Sequence, residues 1–362
     1  VKPAGILIVS PGGVTGRGGI SRSVNYLTAE FNRTFPGQPF TVVSSWDDKV
    51  FFINILIFFR AFLTVFYYLL TRRISLAHIH FSGGGSTLRK LSLFWLVKLF
   101  RVPVIMHLHS GLYHTFYRSL SRTWQDWIRK SLTAADKVFV LGQTWKEFAC
   151  NEIGLPEGNI EIVPNGVPAL KGEVIEDTEK PPLMVFLGRL ENEKGVPELM
   201  KALASEAVRT LPWNAVLAGN GEVDRFRIIA AEFGLSDRIS FPGWVESDEV
   251  KRFLLQADIM LLPSHMEGLP MAILEAMSCG KAIIATPVGS IPEYVEDGVA
   301  GIIVPCEDDK ALSRAIEKVL RDRGLRKELG VAAKKIFDEK LEIGSVAARV
   351  MKHYEMVLRD KG

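Results

Sequence analysis

Two glutamates bracket a helix start in the segment Pro263-Ser264-His265-Met266-Glu267-Gly268-Leu269-Pro270-Met271-Ala272-Ile273-Leu274-Glu275-Ala276-Met277. Pro270 suits a first helical position, where its missing N–H is no loss, and Gly268 admits close backbone approach to a ligand. The loop's free amides would face a negative group, as helix N-termini do. Were the whole interval helical, Glu267 and Glu275 would lie about 12 Å apart at roughly 1.5 Å per residue. An acid and nucleophile acting on one glycosidic bond sit roughly 5–9.5 Å apart, so this spacing excludes a glycoside hydrolase pair. Each carboxylate is instead expected to hold a different part of one long polar ligand. Alone, two such glutamates would only favour an early helical turn; the neighbouring motifs give them chemistry. In Phe186-Leu187-Gly188-Arg189-Leu190-Glu191-Asn192-Glu193-Lys194-Gly195, Arg189 stands just past a strand and Lys194 precedes a helix beginning near Val196. Two cations beside a glycine turn suit a diphosphate, the Arg by bidentate hydrogen bonding and the Lys as a point charge. Ala218-Gly219-Asn220-Gly221-Glu222 and Phe241-Pro242-Gly243-Trp244-Val245 end the next two strands with glycines that admit a ligand, and Gly243 with Trp244 would border a base.

The elements that must position these groups alternate between strand and helix. Residues 6–10, 41–44, 77–81, 104–108, 137–141 and 160–163 are short, apolar and mostly β-branched or aromatic, and the rhythm repeats at 184–187, 215–218, 239–241, 259–262, 282–285 and 301–304. Two doubly wound, parallel, Rossmann-like sheets follow, in an α/β chain of 362 residues that is too long for one ordinary core. The polar, proline-bounded stretch 168–182 is the expected linker, dividing residues 1–170 from 181–340, with a helix-like segment 341–362 at the end. Ligands on such sheets bind beyond the carboxyl ends of the strands, so a cleft between the two domains is the expected site.

Charge is distributed unevenly. Residues 1–170 hold 18 Lys/Arg against 9 Asp/Glu, the remainder 26 against 32, and no acidic residue occurs from Lys49 to Gln125. That interval contains Phe51–Leu70, long enough to span a membrane but interrupted by Asn54, Arg60 and Thr64, and a basic, Trp95-bearing segment from Ser86 to Arg101. Such segments are either crossover helices packed on a sheet or surfaces resting against anionic lipid. Nucleic acid is not expected, because the basic residues are interleaved with aliphatic runs and no nucleic-acid module is present. Cys150, Cys279 and Cys306 are widely spaced and fit three buried thiols in a reducing cytoplasm, and the start of the chain carries no signal-peptide pattern. Gly12–Gly19 does not have the G-x-G-x-x-G arrangement of a dinucleotide-dependent dehydrogenase.

Taken in order, G-R-L-x-x-x-K-G, A-G-N-G-E, F-P-G-W, E-G-L-P-M-A-I-L-E-A-M and Ala285-Thr286-Pro287-Val288-Gly289-Ser290-Ile291-Pro292-Glu293 closely resemble the nucleotide-sugar-binding domain of family 4 glycosyltransferases, retaining enzymes of the GT-B architecture. The match runs from about Met184 to Val304. The first half resembles the family's acceptor domain through Gly16-Arg17-Gly18-Gly19-Ile20-Ser21, Ala77-His78-Ile79-His80 and Val104-Ile105-Met106-His107-Leu108-His109, although Leu76-Ala77-His78 stands where the family often has an aspartate. The resemblance implies that Arg189 and Lys194 neutralise the diphosphate, Glu275 takes the ribose hydroxyls, Glu267 binds donor-sugar hydroxyls and the amides of Gly268 and Leu269 support sugar or phosphate. Gly18 and Gly19 let the first-domain loop close over the phosphates. His109 matches the histidine beside the reacting sugar, with His107 on the same side but deeper, and His80 faces the acceptor. Arg17 is expected to be solvated.

The expected enzyme is therefore a retaining hexosyltransferase that uses UDP- or GDP-sugar and a glycan or lipid-linked glycan acceptor, with peripheral contact to anionic membrane at the inner face of the cell membrane. Asp47-Asp48 is not placed at the cleft and Glu307-Asp308-Asp309 suits a helix start, so Arg189 and Lys194 stand in for metal, and no divalent cation or other cofactor is expected. The alternative is a noncatalytic nucleotide-sugar-binding or membrane scaffold protein.

Overall fold

The computed structural model describes residues 4–13, 16, 18–47, 51–170, 172 and 180–360. It divides into two compact units, Val1–Gly166 with Ile343–Gly362, and Val167–Glu342. Most of the expected linker, residues 171 and 173–179, lies outside the described residues, as do Arg17 and Asp48.

The first unit is built on a six-stranded sheet of β1 (Gly5–Ser10), β2 (Phe40–Ser44), β3 (Ile74–Phe81), β4 (Val104–Leu108), β5 (Lys137–Val140) and β6 (Ile160–Ile162), in the order β2-β1-β3-β4-β5-β6. Every pairing is parallel. Parallel strands need crossovers, which cover both faces and bury the strands completely; β1 and β4 are accordingly buried along their whole length. One face is closed by the helix Gly19–Thr34 and by the last helix, Ile343–Arg359, which presents Val346, Val350, Tyr354 and Val357 at helical spacing to Val24, Leu27 and Phe31. Phe31 stacks on Phe40 at 4.7 Å and tilts against Tyr354 at 5.8 Å.

The apolar segment Phe51–Leu70 is one continuous helix, a crossover from β2 to β3. It buries Asn54, Ala61, Val65 and Leu69, and the Asn54 carbonyl accepts the Asp47 N–H at 2.8 Å. One face thus packs on its own sheet, while the helix also remains long and apolar enough to cross a membrane. Its opposite face exposes Phe52, Leu56, Phe59, Leu63, Tyr67 and Leu70, with Leu56 at 69% and Leu63 at 64%. The Trp95 helix runs Gly85–Leu99 and is also a crossover: Leu91, Leu93, Phe94 and Val97 are buried, while the half-exposed Trp95 donates its indole N–H to Ser131 Oγ at 3.0 Å.

The second unit contains β7 (Leu183–Leu187), β8 (Asn214–Ala218), β9 (Ile239–Gly243), β10 (Ile259–Leu262), β11 (Ala282–Ala285) and β12 (Ile302–Ile303), in the order β12-β11-β10-β7-β8-β9, again all parallel. The last expected strand, 301–304, contracts to two paired residues at the sheet edge. Asp308 caps the helix Asp309–Arg321 by accepting the Ala311 N–H at 2.8 Å, as its place in an acidic run predicted. All three cysteines are free, but only Cys279, at the end of the buried helix Met271–Ser278, is buried as expected; Cys150 and Cys306, the latter in the turn after β12, are half-buried.

The Phe31 contacts join three elements of the first unit. Phe31→Ala is expected to destabilise the protein by about 3–5 kcal/mol, measured by denaturant unfolding, and a loss well under 1 kcal/mol would show that the last helix contributes little to this core.

Candidate active site

Strand order in the second sheet reverses between β7 and β10, whose crossovers leave in opposite directions, and the loops at their carboxyl ends open a crevice there. The loop after β7 passes through a short turn, Asn192–Lys194, into the helix Val196–Ala204; the loop after β10 enters the helix Met271–Ser278. The two loops are tied together by the His265 N–H, which donates to Glu193 O at 2.9 Å. Gly195, at φ +68°, lies so close to the Pro263 carbonyl that a Cβ would collide with it. Held in this way, Lys194 Nζ donates to Glu267 Oε1 at 2.7 Å, and the same oxygen accepts Ser264 Oγ at 2.9 Å. The Lys194 and Glu267 side chains remain 23% and 13% exposed, so the crevice presents a cation and a carboxylate side by side.

Arg189 is placed differently. Its side chain is 63% exposed and pairs with Glu191 at 3.1 Å rather than with the Lys194–Glu267 pair. Glu275 is buried within its helix. Pro270 is the extended residue before that helix, at φ −73° and ψ 129°, and not the first helical one, because Met271 begins the turn. Gly268 and Leu269 are buried, and the Gly268 carbonyl accepts the Ser290 N–H at 2.8 Å, which brings the Gly289 loop over the motif. Gly219 packs against the Gly188 carbonyl with its N–H donating to Gly243 O at 2.8 Å, and Asn220 acts through its backbone, accepting the Leu190 N–H at 2.7 Å. Trp244, half-exposed, donates to Glu246 Oε1 at 3.2 Å.

In the first unit the order reverses between β1 and β3. Gly18 and Gly19, with Gly12, Gly16, Ser21 and Trp46, line a cavity of about 220 Å³ at the end of β1. Gly18 precedes the helix in fully extended backbone without a side-chain cap, so the first amides of the helix open towards this loop. His78 and His80 alternate on β3 and share a face with His107 and His109, carried by β4, with His80 in register with His107. His107 is buried and His109 half-buried at the strand end, as their two-residue spacing predicted. His80, expected to face the acceptor, is instead buried, with its Nδ1 2.8 Å from His109 Nε2, because it lies within β3 in register with His107 rather than past the strand end. Asn165 bonds the His109 ring and accepts Ser23 Oγ at 2.9 Å.

Residues 172–336 match the family model of glycosyl transferases group 1, and residues 17–169 match that of glycosyltransferase family 4. The chain belongs to this glycosyltransferase family. An uncharacterized glycosyltransferase of Methanocaldococcus jannaschii is 25% identical over 283 residues, covering 72% of this chain and 71% of that protein. The alpha-D-kanosaminyltransferase of Streptomyces kanamyceticus is 24% identical over 70% of this chain and 69% of its own length. Among solved structures, sucrose-phosphate synthase from Thermosynechococcus elongatus superposes with a TM-score of 0.79 at 19% identity, over 98% of this chain and 99% of that one. Anabaena HepE in complex with UDP gives 0.75 at 17% identity, over 97% and 100%. The fold of the glycosyltransferase is thus GT-B, with two Rossmann-like α/β domains.

Ser264, Ser23, Asn165 and Tyr354 escaped sequence reasoning. Ser264 lies inside a quoted motif, three residues before its carboxylate partner; the other three support histidines from elements far away in the chain, and only the turn-like Pro164-Asn165-Gly166 after β6 offered a local signal. The His109 ring bonds both His80 and Asn165, and burial holds this imidazole down from 6.5 to about 3, opposed by the Asn165 bond. A group whose folded value is depressed contributes its full share of stability above the unfolded value and loses it as pH falls. Thermal unfolding midpoints should therefore be level above neutrality and decline as pH falls from 6.5 toward 3, less steeply in His109→Asn. Identical declines in both proteins would remove His109 as a source.

Proposed function

We propose that this glycosyltransferase moves a hexose-type sugar from a UDP- or GDP-linked donor to a hydroxyl of a glycan or lipid-linked glycan, with retention of anomeric configuration and without a divalent cation at the diphosphate. The observation that carries the reading is the Lys194–Glu267 contact of 2.7 Å at the switch point of the second sheet. Breaking the anomeric C–O bond drives negative charge onto the diphosphate, and fixed cations lower that barrier without reorganising. Lys194 and Arg189 take this role, Glu267 binds donor-sugar hydroxyls, Glu275 the ribose, and the Gly268 and Leu269 amides the sugar or phosphate; His109 is assigned to the reacting sugar. The acceptor hydroxyl attacks on the face the leaving group vacates, and a departing phosphate oxygen takes its proton. No protein nucleophile is needed. The UDP complex of Anabaena HepE supports uridine as the first base to test.

Calorimetry with UDP-, GDP- and ADP-sugars in the presence of a chelator should show binding of one donor class. Arg189→Ala and Lys194→Ala should each weaken it roughly 10–100-fold, the loss of one charge-assisted hydrogen bond of about 1.5–3 kcal/mol. Unchanged affinity in both variants would refute the assignment, and failure to release nucleoside diphosphate with every acceptor offered would favour a noncatalytic sugar-binding protein.

The outward face of the helix Phe51–Leu70, flanked by Arg60, Arg72 and Arg73, supports peripheral docking on anionic lipid at the cytoplasmic surface. This makes a lipid-linked acceptor the first to test. Co-sedimentation with anionic vesicles is expected for the native chain and should fall sharply in the Leu56→Asp, Leu63→Asp double variant; equal sedimentation with neutral and anionic vesicles would count against the basic flank.

A further inference from the structure

The histidines below His109 form a built site. His78, His80 and His107 are all at least 97% buried. Each spends one ring nitrogen on a protein partner: His78 Nδ1 lies 2.6 Å from the Tyr354 hydroxyl, His80 Nδ1 2.8 Å from His109 Nε2, and His107 Nε2 donates to the Val163 carbonyl at 3.3 Å. Each leaves the other nitrogen, His78 Nε2, His80 Nε2 and His107 Nδ1, without a hydrogen-bond partner among the described residues. One ring nitrogen from each of the three lies within 4.8 Å of the other two. Buried polar atoms are nearly always satisfied, so three buried rings that approach one another this closely, each keeping an unpartnered nitrogen, indicate an ion or a water.

We propose that His78, His80 and His107 bind one first-row transition-metal ion, zinc by the donor set, which locks the last helix onto β3 and orients His109. Three points of chemistry favour it. Metal-bound imidazoles characteristically donate their second N–H to a carbonyl, carboxylate or similar partner, which fixes the tautomer, and the Val163, Tyr354 and His109 contacts supply that outer shell. All three rings are buried, and metals take imidazole in its neutral form. Imidazole nitrogens without thiolate or carboxylate suit zinc or cobalt(II) far better than magnesium or calcium. Tetrahedral zinc sets its nitrogens about 3.3 Å apart at bond lengths of about 2.0–2.1 Å, so binding draws the rings together by small rotations. A cavity of about 10 Å³ beside His80 and His107, lined also by Ser23, Val163 and Gly166, is close to the room one water needs as a fourth ligand. His80, with its outer nitrogen on the ion, would present Nδ1–H to His109 Nε2, leaving the other His109 nitrogen to donate towards Asn165. His80 is then a positioning residue for His109. The inference is independent of the donor assignment, since all of these groups belong to the first unit.

The test uses untagged full-length chain, loaded with zinc and dialysed against metal-free buffer. Stoichiometric zinc by elemental analysis is expected, as are visible d–d bands after cobalt(II) exchange with no thiolate charge-transfer band. Dipicolinate should lower the unfolding midpoint and zinc should restore it. His78→Phe and His107→Phe should lose the metal; should they not fold, the native chain alone decides. Retention of no zinc or cobalt, an unfolding midpoint indifferent to chelator and zinc, or a thiolate band would each overturn the proposal. Nucleotide-sugar calorimetry on the same samples separates this outcome from failure of the donor assignment.

Discussion

Parallel strands can be joined only by crossovers that return to the starting edge of the sheet, so every strand in a unit releases its chain at the same side. That constraint organises this protein twice. In the second unit it brings the loops after β7 and β10 together where strand order reverses, although Lys194 and Glu267 are 73 residues apart in sequence. In the first unit it does the same for the glycine loop after β1 and the histidines that end β3 and β4. Glycine matters where the loops meet: Gly195 and Gly219 are packed on neighbouring carbonyls that a side chain would strike.

The two units use opposite electrostatic strategies. The second keeps the Lys194–Glu267 pair partly solvated, so neither charge is buried without a partner. The first buries a ladder of imidazoles, with ring centroids of His107 and His109 4.0 Å apart and those of His78 and His80 4.1 Å apart, and keeps them neutral. Neutral rings are tolerated in a core only when their nitrogens are provided for. Tyr354, Val163, Asn165 and the neighbouring histidines provide for one side of the ladder.

The helix Phe51–Leu70 shows how composition can mislead about placement. Its apolar content satisfies a sheet-packed crossover on one face and leaves a hydrophobic stripe on the other, at positions 52, 56, 59, 63, 67 and 70. A helix that only served its own sheet would carry polar residues there. The sequence around that stripe, from Lys49 to Gln125, carries no acidic residue, so basic side chains border the exposed apolar face.

The existence of all twelve strands, though not the short extent of the last, the repeat of the strand and helix rhythm on either side of the polar stretch 168–182, and the loops bearing Arg189, Lys194, Glu267 and Gly219 were legible from the chain, because period, turn residues and strand-end motifs are local properties. Tertiary structure alone decided the rest. It paired Lys194 with Glu267 while leaving Arg189 to Glu191, and it sank His80 below His109. It also brought Tyr354 to His78 across 276 residues. Those outcomes depend on which strands become neighbours and how deep each side chain then lies, and neither property is carried by residue spacing along a single element.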